Sequence, residues 1–155
     1  IEISAPITVT LIDGDAYALS DFYERFQYYR SENVTIELVN YNAISILINK
    51  FPDLESGSYD ITYCAGMLDY FKDRFCRKFV DFLVGLTKPG GAFYFTNVHP
   101  RNSARYLMDF GPGWELYHRD EGKTRNLAPP EFQYEVKTDP TGTNVYVKGI
   151  KSEGN

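Results

Sequence analysis

The chain has 155 residues, 43% of them hydrophobic and 24% charged, an ordinary globular balance with length enough for one domain and a sizeable core. Its net charge is −5, and Arg74, Arg77 and Lys78 look like the solvated face of one helix. That argues against nucleic acid as the main partner, since phosphates are met by a basic surface. No apolar run approaches the ~20 residues of a membrane span, and no signal peptide is visible. Two cysteines, Cys64 and Cys76, are too few for a disulfide framework, so buried free thiols in a cytoplasmic protein are expected.

Residues 7–12 form a β-branched run closed by Asp13-Gly14-Asp15, which predicts a strand and a turn. Over 16–31, Leu19, Phe22, Phe26 and Tyr29 recur at helical spacing, with Asp21, Glu24, Arg25 and Arg30 on other faces. A second strand is predicted over 34–39, ended by Asn40-Tyr41-Asn42, and a short helix over 43–51, stopped before Pro52. Residues 59–65 read as a third strand that Gly66 terminates. The clearest helix spans 69–86, with Phe71, Phe75, Phe79, Phe82, Leu83 and Leu86 along one face. Lys88-Pro89-Gly90-Gly91 breaks it before a fourth strand over 92–98. Residues 101–119 predict a helix and then a loop around Gly111-Pro112-Gly113-Trp114. Residues 132–137 and 144–150 alternate in polarity on either side of Asp139-Pro140-Thr141-Gly142, the pattern of an antiparallel hairpin.

Strands alternating with helices and closing on a hairpin predict an α/β fold. It is a Rossmann-like, mostly parallel sheet with helices on both faces and an antiparallel edge, in a single domain over 1–155. Ligands of such sheets bind beyond the carboxyl ends of the strands, so residues just after each strand are the candidates. Asp13 is placed to accept hydrogen bonds from ribose hydroxyls, or else serves only the turn and helix cap. Asn40, Tyr41 and Asn42 can address an adenine edge and face, or act as turn residues. Small residues in Cys64-Ala65-Gly66 let a ligand approach the backbone. Asn97, His99 and Asn102 follow the fourth strand, and His99 has the chemistry of a general base. His99 and His118 lack metal-ligand spacing, so no metal site is expected. Tyr106, Phe110, Trp114 and Tyr117 suit an apolar substrate or an ordinary core.

Three segments, in order, resemble class I S-adenosylmethionine-dependent methyltransferases: residues 11–19 around Asp13, residues 59–66, and Leu86-Thr87-Lys88-Pro89-Gly90-Gly91-Ala92-Phe93. Residues 63–70, 96–100 and 114–119 are further similar to a bacterial group identified with extracellular-factor hydroxy fatty-acid methyl ester synthesis. The resemblance implies S-adenosylmethionine as cofactor, with Asp13 on its ribose, Asn42 on adenine, and Cys64, Ala65 and Gly66 along its methionine side. It implies Asp69 and Tyr70 at the substrate mouth, Asn97 and His99 toward the acceptor, and His99 or Asp69 as base. The implied acceptor is a small molecule, with a fatty-acid-like carboxylate as one class. The family's first strand and glycine-rich GxGxG loop have no counterpart in these residues. The expectation is therefore a fragment inactive alone, completed by an N-terminal segment or by dimerisation. Two rivals stand beside it: a non-catalytic methyltransferase-like interaction module, and a Rossmann-type nicotinamide oxidoreductase, against which the Pro-Gly-Gly turn and hairpin argue.

Overall fold

In a computed structural model, which describes residues 5–29, 32–110 and 115–153 (side chains at 29 and 108–110 excepted), the first β-branched run becomes β1 (Ile7–Asp13). It pairs in parallel with β2 (Val34–Asn40), and Asp13 stands opposite Asn40 at the carboxyl ends. The helix between them, α1 (Ala16–Phe26), buries Leu19 and runs into a 3-10 turn, Gln27–Tyr29. The last two positions of the predicted helix, 30 and 31, lie outside the described residues, as does the Gly111–Trp114 loop. The predicted helix over 43–51 is a tighter 3-10 turn, Ala43–Ile48, around the fully buried Ile46. Asn49 ends it by entering the left-handed region at φ 57°, a conformation Asn tolerates better than most residues.

The described chain divides after Asp53 into two compact units. In the second, four strands lie in the order β3–β4–β6–β5. β3 (Tyr59–Cys64) runs parallel to β4 (Thr87–Val98), joined through α2 (Asp73–Leu86). β6 (Asn144–Ile150) pairs antiparallel with both β4 and β5 (Tyr134–Thr138), the hairpin that the alternation predicts. Among the described residues β1 pairs only with β2, and β3 only with β4.

Three local features differ from the sequence expectation. The helix foreseen from residue 69 begins at Asp73. Leu68–Tyr70 forms a separate 3-10 turn, and Phe71 and Lys72 are extended. The cause is distant in sequence: Arg119 draws the Leu68 and Phe71 carbonyl oxygens to itself. The Lys-Pro-Gly-Gly turn does not precede β4 but interrupts it, shifting the register from Tyr59 opposite Thr87 to Ile61 opposite Ala92. A Cβ on Gly91 would meet the Asp60 carbonyl oxygen at 2.8 Å, so this excursion needs glycine there. Finally, two short helices flank the 111–120 stretch, α3 (Arg105–Phe110) and α4 (Glu121–Arg125). The second, capped by the Asp120 side chain on Lys123 N–H, was not foreseen.

The core of this unit lies between α2 and one face of the sheet. Phe75, Phe79, Val80 and Leu83 are buried on the helix, and Phe93, Phe95, Val145 and Val147 on the strands. Phe93 meets Phe132 and Tyr134 edge-on at centroid distances of 5.8 Å. Lys151 Nζ donates to the Val84 and Thr87 carbonyl oxygens at 2.9 and 2.7 Å, a cation where the helix dipole is negative.

Candidate active site

In the first unit the candidates gather at the carboxyl ends of β1 and β2. Asp13 Oδ1 accepts the Asp15 N–H at 2.8 Å, and its other carboxyl oxygen has no partner among the described residues. The helix cap belongs to Asp15, whose Oδ1 accepts from Tyr17 and Ala18 N–H at 2.8 and 3.3 Å. This separation of roles leaves the exposed Asp13 with acceptor capacity to spare. The Asp13 carbonyl oxygen is held by Tyr41 N–H at 2.8 Å and Asn40 Nδ2 at 3.2 Å. Asn42 Oδ1 caps the 3-10 turn through Ile44 N–H at 3.0 Å, so what it can offer a ligand is its Nδ2 donor. Tyr41 donates its hydroxyl to the Lys50 carbonyl at 2.6 Å, fixing its ring, and partial burial raises its pKa.

In the second unit the candidates lie at the carboxyl ends of β3 and β4. Ala65 and Gly66 are exposed just past Cys64. Gly66 sits at φ +75° with open space where a Cβ would project, and its N–H donates to Thr96 Oγ1 at 3.2 Å. Burial pushes the Cys64 thiol up to about 12, so it remains protonated and inert. Cys76 is likewise pushed up to about 11, chiefly by burial.

Asp69 is only 3% exposed. Its Oδ1 accepts the Val98 N–H at 2.7 Å, and its carbonyl oxygen accepts the Tyr117 N–H at 2.7 Å. Burial raises its carboxyl above the ordinary range, against the opposing pull of the Val98 N–H and of the Arg119 charge. Tyr70, its neighbour, is half exposed.

Asn97 is fully buried and committed to the protein. Its Nδ2 donates to the Tyr117 carbonyl at 2.8 Å and the Val98 carbonyl at 3.1 Å, while its Oδ1 accepts from Arg119 Nη1 at 2.7 Å. His99, 4% exposed, is also engaged at both ring nitrogens. Nδ1 accepts the Arg101 N–H at 2.9 Å, which places the proton on Nε2, 3.4 Å from Glu121 Oε2. Asn102 turns inward and accepts the Ala104 N–H at 2.9 Å. Of the aromatic group, Tyr106 and Tyr117 are exposed; Trp114 and the Phe110 side chain lie outside the described residues.

The structure thus joins Asp69 and Asn97 through Val98 and Tyr117, and turns His99 away toward Glu121. At their centre stands a residue the sequence did not single out. Arg119 is 3% exposed; besides Asn97 it donates to the Leu68 and Phe71 carbonyls at 3.2 and 2.6 Å, and to Asp73 Oδ1 at 2.8 Å. A lone arginine in a stretch without periodicity leaves no signal of its own burial.

No family model matches the sequence, and neither does any curated protein. Solved structures do. A possible exported protein from Bordetella parapertussis superposes with a TM-score of 0.70 at 18% identity, over 94% of this chain and 53% of that one. An O-methyltransferase family protein from Burkholderia thailandensis gives 0.64 at 19% identity, over 96% and 45%. A SAM-dependent methyltransferase from Methanosarcina mazei gives 0.60 at 15% identity, over 95% and 83%. The chain has the methyltransferase fold. At these identities the likeness is one of fold, and the chain spans about half the length of the first two structures, 53% and 45%. In the methyltransferase fold, as in other open α/β sheets, the carboxyl ends of the strands are where ligands bind, and both clusters described above lie there.

Proposed function

We propose that the chain is part of an S-adenosylmethionine-dependent methyltransferase acting on a small-molecule acceptor. The observation that carries this reading is Asp13: a carboxylate at the end of a parallel strand, relieved of capping by Asp15, with one oxygen left to accept ribose hydroxyls. Asn42 Nδ2 would donate to the adenine edge. Cys64, Ala65 and Gly66 would flank the methionine portion, where the open, positive-φ Gly66 lets a ligand lie close to backbone. The residues fit the group in donor and acceptor type. When bound, the cofactor would supply an electrophilic methyl group on sulfonium.

The chain's own contribution is to bind and orient the acceptor and to handle its proton. Asp69 and Tyr70, in the 3-10 turn that follows β3, would take this task. A fatty-acid-like carboxylate acceptor rests on the sequence resemblance alone. Each of the two sheets has open edges among the described residues, β1 and β2 in the first unit and β3 and β5 in the second, which supports pairing with a further strand, from an N-terminal segment or a second copy. The same open edges favour, as a second reading, a methyltransferase-like module that pairs with a protein and performs no chemistry.

Calorimetric titration with S-adenosylmethionine and S-adenosylhomocysteine tests the first reading. Micromolar binding is expected. Absence of binding, in the chain alone and with the completing strand supplied, overturns it in favour of the second.

A further inference from the structure

Both ring nitrogens of His99 are occupied, so a base has to be sought elsewhere at the carboxyl ends of β3 and β4. His118 has the one buried side-chain nitrogen or oxygen, among the described residues, that lacks a hydrogen-bond partner: its Nε2. Nδ1 of the same ring lies 3.0 Å from the Leu116 carbonyl oxygen. A carbonyl only accepts, so Nδ1 carries the proton and Nε2 holds the lone pair. The ring is fixed in the tautomer a proton acceptor needs. A buried polar atom left unpaired is costly, and in native proteins such atoms mark ligands, bound water or catalysis.

Its position is built rather than accidental. Tyr117 N–H donates to the Asp69 carbonyl at 2.7 Å, and Arg119 N–H to the Val98 carbonyl at 3.0 Å. His118 is therefore strapped between the turn that follows β3 and the end of β4. The Arg119 guanidinium locks this strap to Asn97 and to the Leu68–Phe71 backbone. Asp69 is near enough to feel a positive charge on the ring once it is protonated.

We propose that His118 Nε2 is the proton acceptor of the methyl-transfer site, and that the substrate is a protic nucleophile, a hydroxyl or an amine, rather than a carboxylate. This rests on the methyltransferase reading above. A substrate O–H or N–H supplies the bond that Nε2 lacks. In the reaction the acceptor's proton passes to Nε2, and its oxygen or nitrogen lone pair bonds the methyl carbon. The methyl–sulfur bond breaks with its electron pair staying on sulfur. The imidazolium so formed is stabilised by Asp69 and releases its proton to water once the product has left. A carboxylate acceptor has no proton to give, and it would bring a second negative charge toward Asp69.

The test uses the chain with its completing strand supplied, 1-octanol, octylamine and octanoate as probes, and the variant His118→Asn, whose amide can keep the Leu116 bond while deleting Nε2. In nitrogen-15 spectra of the wild type, octanol or octylamine is expected to shift the His118 Nε2 resonance, and octanoate to leave it unmoved. The variant is expected to lose about 10²–10⁴-fold in methyl transfer to protic acceptors while binding S-adenosylhomocysteine as the wild type does. An Nε2 resonance indifferent to all three probes, or octanoate methylated equally by variant and wild type, overturns the role of His118 and leaves the methyltransferase reading standing. Failure of the wild type to bind S-adenosylhomocysteine instead overturns that reading itself. The wild-type spectra decide the matter should the variant not fold.

Discussion

Arg119 Nη1 donates to Asn97 Oδ1 across 2.7 Å, with both side chains buried, and this bond joins the segment before α4 to the carboxyl end of β4. Through the same guanidinium the Leu68 and Phe71 carbonyls are satisfied without helix, which is why α2 starts late. Arg119→Met leaves the buried Asn97 Oδ1 without a donor and strips the Leu68 and Phe71 carbonyls of their guanidinium bonds, and it is expected to cost about 2–3 kcal/mol. Urea unfolding measures this. Arg119→Lys should recover less than half, because an ammonium cannot reproduce the planar fork. Equal stability of wild type and Arg119→Met would refute this account of the turn.

Gly149 and Phe93 face each other across β6 and β4, and a Cβ at Gly149 would stand 2.2 Å from Phe93 Cζ. Phe93 is fully buried and cannot swing aside. Gly149→Ala is therefore expected to destabilise by about 1–3 kcal/mol through overpacking. Adding Phe93→Leu should return part of the loss, a coupling that a double-mutant cycle reads directly.

Asp13 and Asp15 are two residues apart and predicted to do different things. Asp15→Ala removes the α1 cap and should lower stability by about 1 kcal/mol with cofactor affinity little changed. Asp13→Asn keeps an oxygen for the Asp15 N–H and removes the charge. It should leave the melting temperature almost unchanged and weaken S-adenosylmethionine binding about tenfold or more, the loss of charge-assisted hydrogen bonds. Thermal melts paired with calorimetry on both variants check the division of labour.

The hairpin turn carries its own pH dependence. The Thr141 hydroxyl, then the Thr143 and Asn144 N–H groups, hold the Asp139 carboxyl down to about 2 from its ordinary 3.8. A carboxyl with a lowered folded value favours the native state above its unfolded value. This contribution is expected to be complete above about pH 4 and lost as pH falls toward 2. Asp139→Asn should flatten that part of an acid denaturation curve, followed by circular dichroism. A curve identical to wild type would show that the turn does not depend on the charge.

Much of the fold was legible in the chain itself, because strand and helix periods are local and short. The β-branched runs over 7–12 and 34–39, the alternation around Asp139-Pro140-Thr141-Gly142, and the apolar face of α2 each impose their element within a dozen residues. Strand ends then nominate Asp13, Asn42, Gly66, Asp69 and Asn97 as candidates, since ligand sites in such sheets follow strand ends. What each side chain does there depends on partners far along the sequence. Asn97 is spent on Tyr117 and Arg119, His99 on Arg101 and Glu121, and Asp15 relieves Asp13 of the cap. The carbonyls between the Leu68–Tyr70 turn and α2 are met by Arg119, and those at the end of α2 by Lys151, residues 48 and 60 or more positions away in the bonds they make. Periodicity reports only which face of an element is apolar. Which buried polar groups find each other, and which one is left over at His118, is decided by the tertiary structure, because a hydrogen bond needs two atoms brought within about 3 Å.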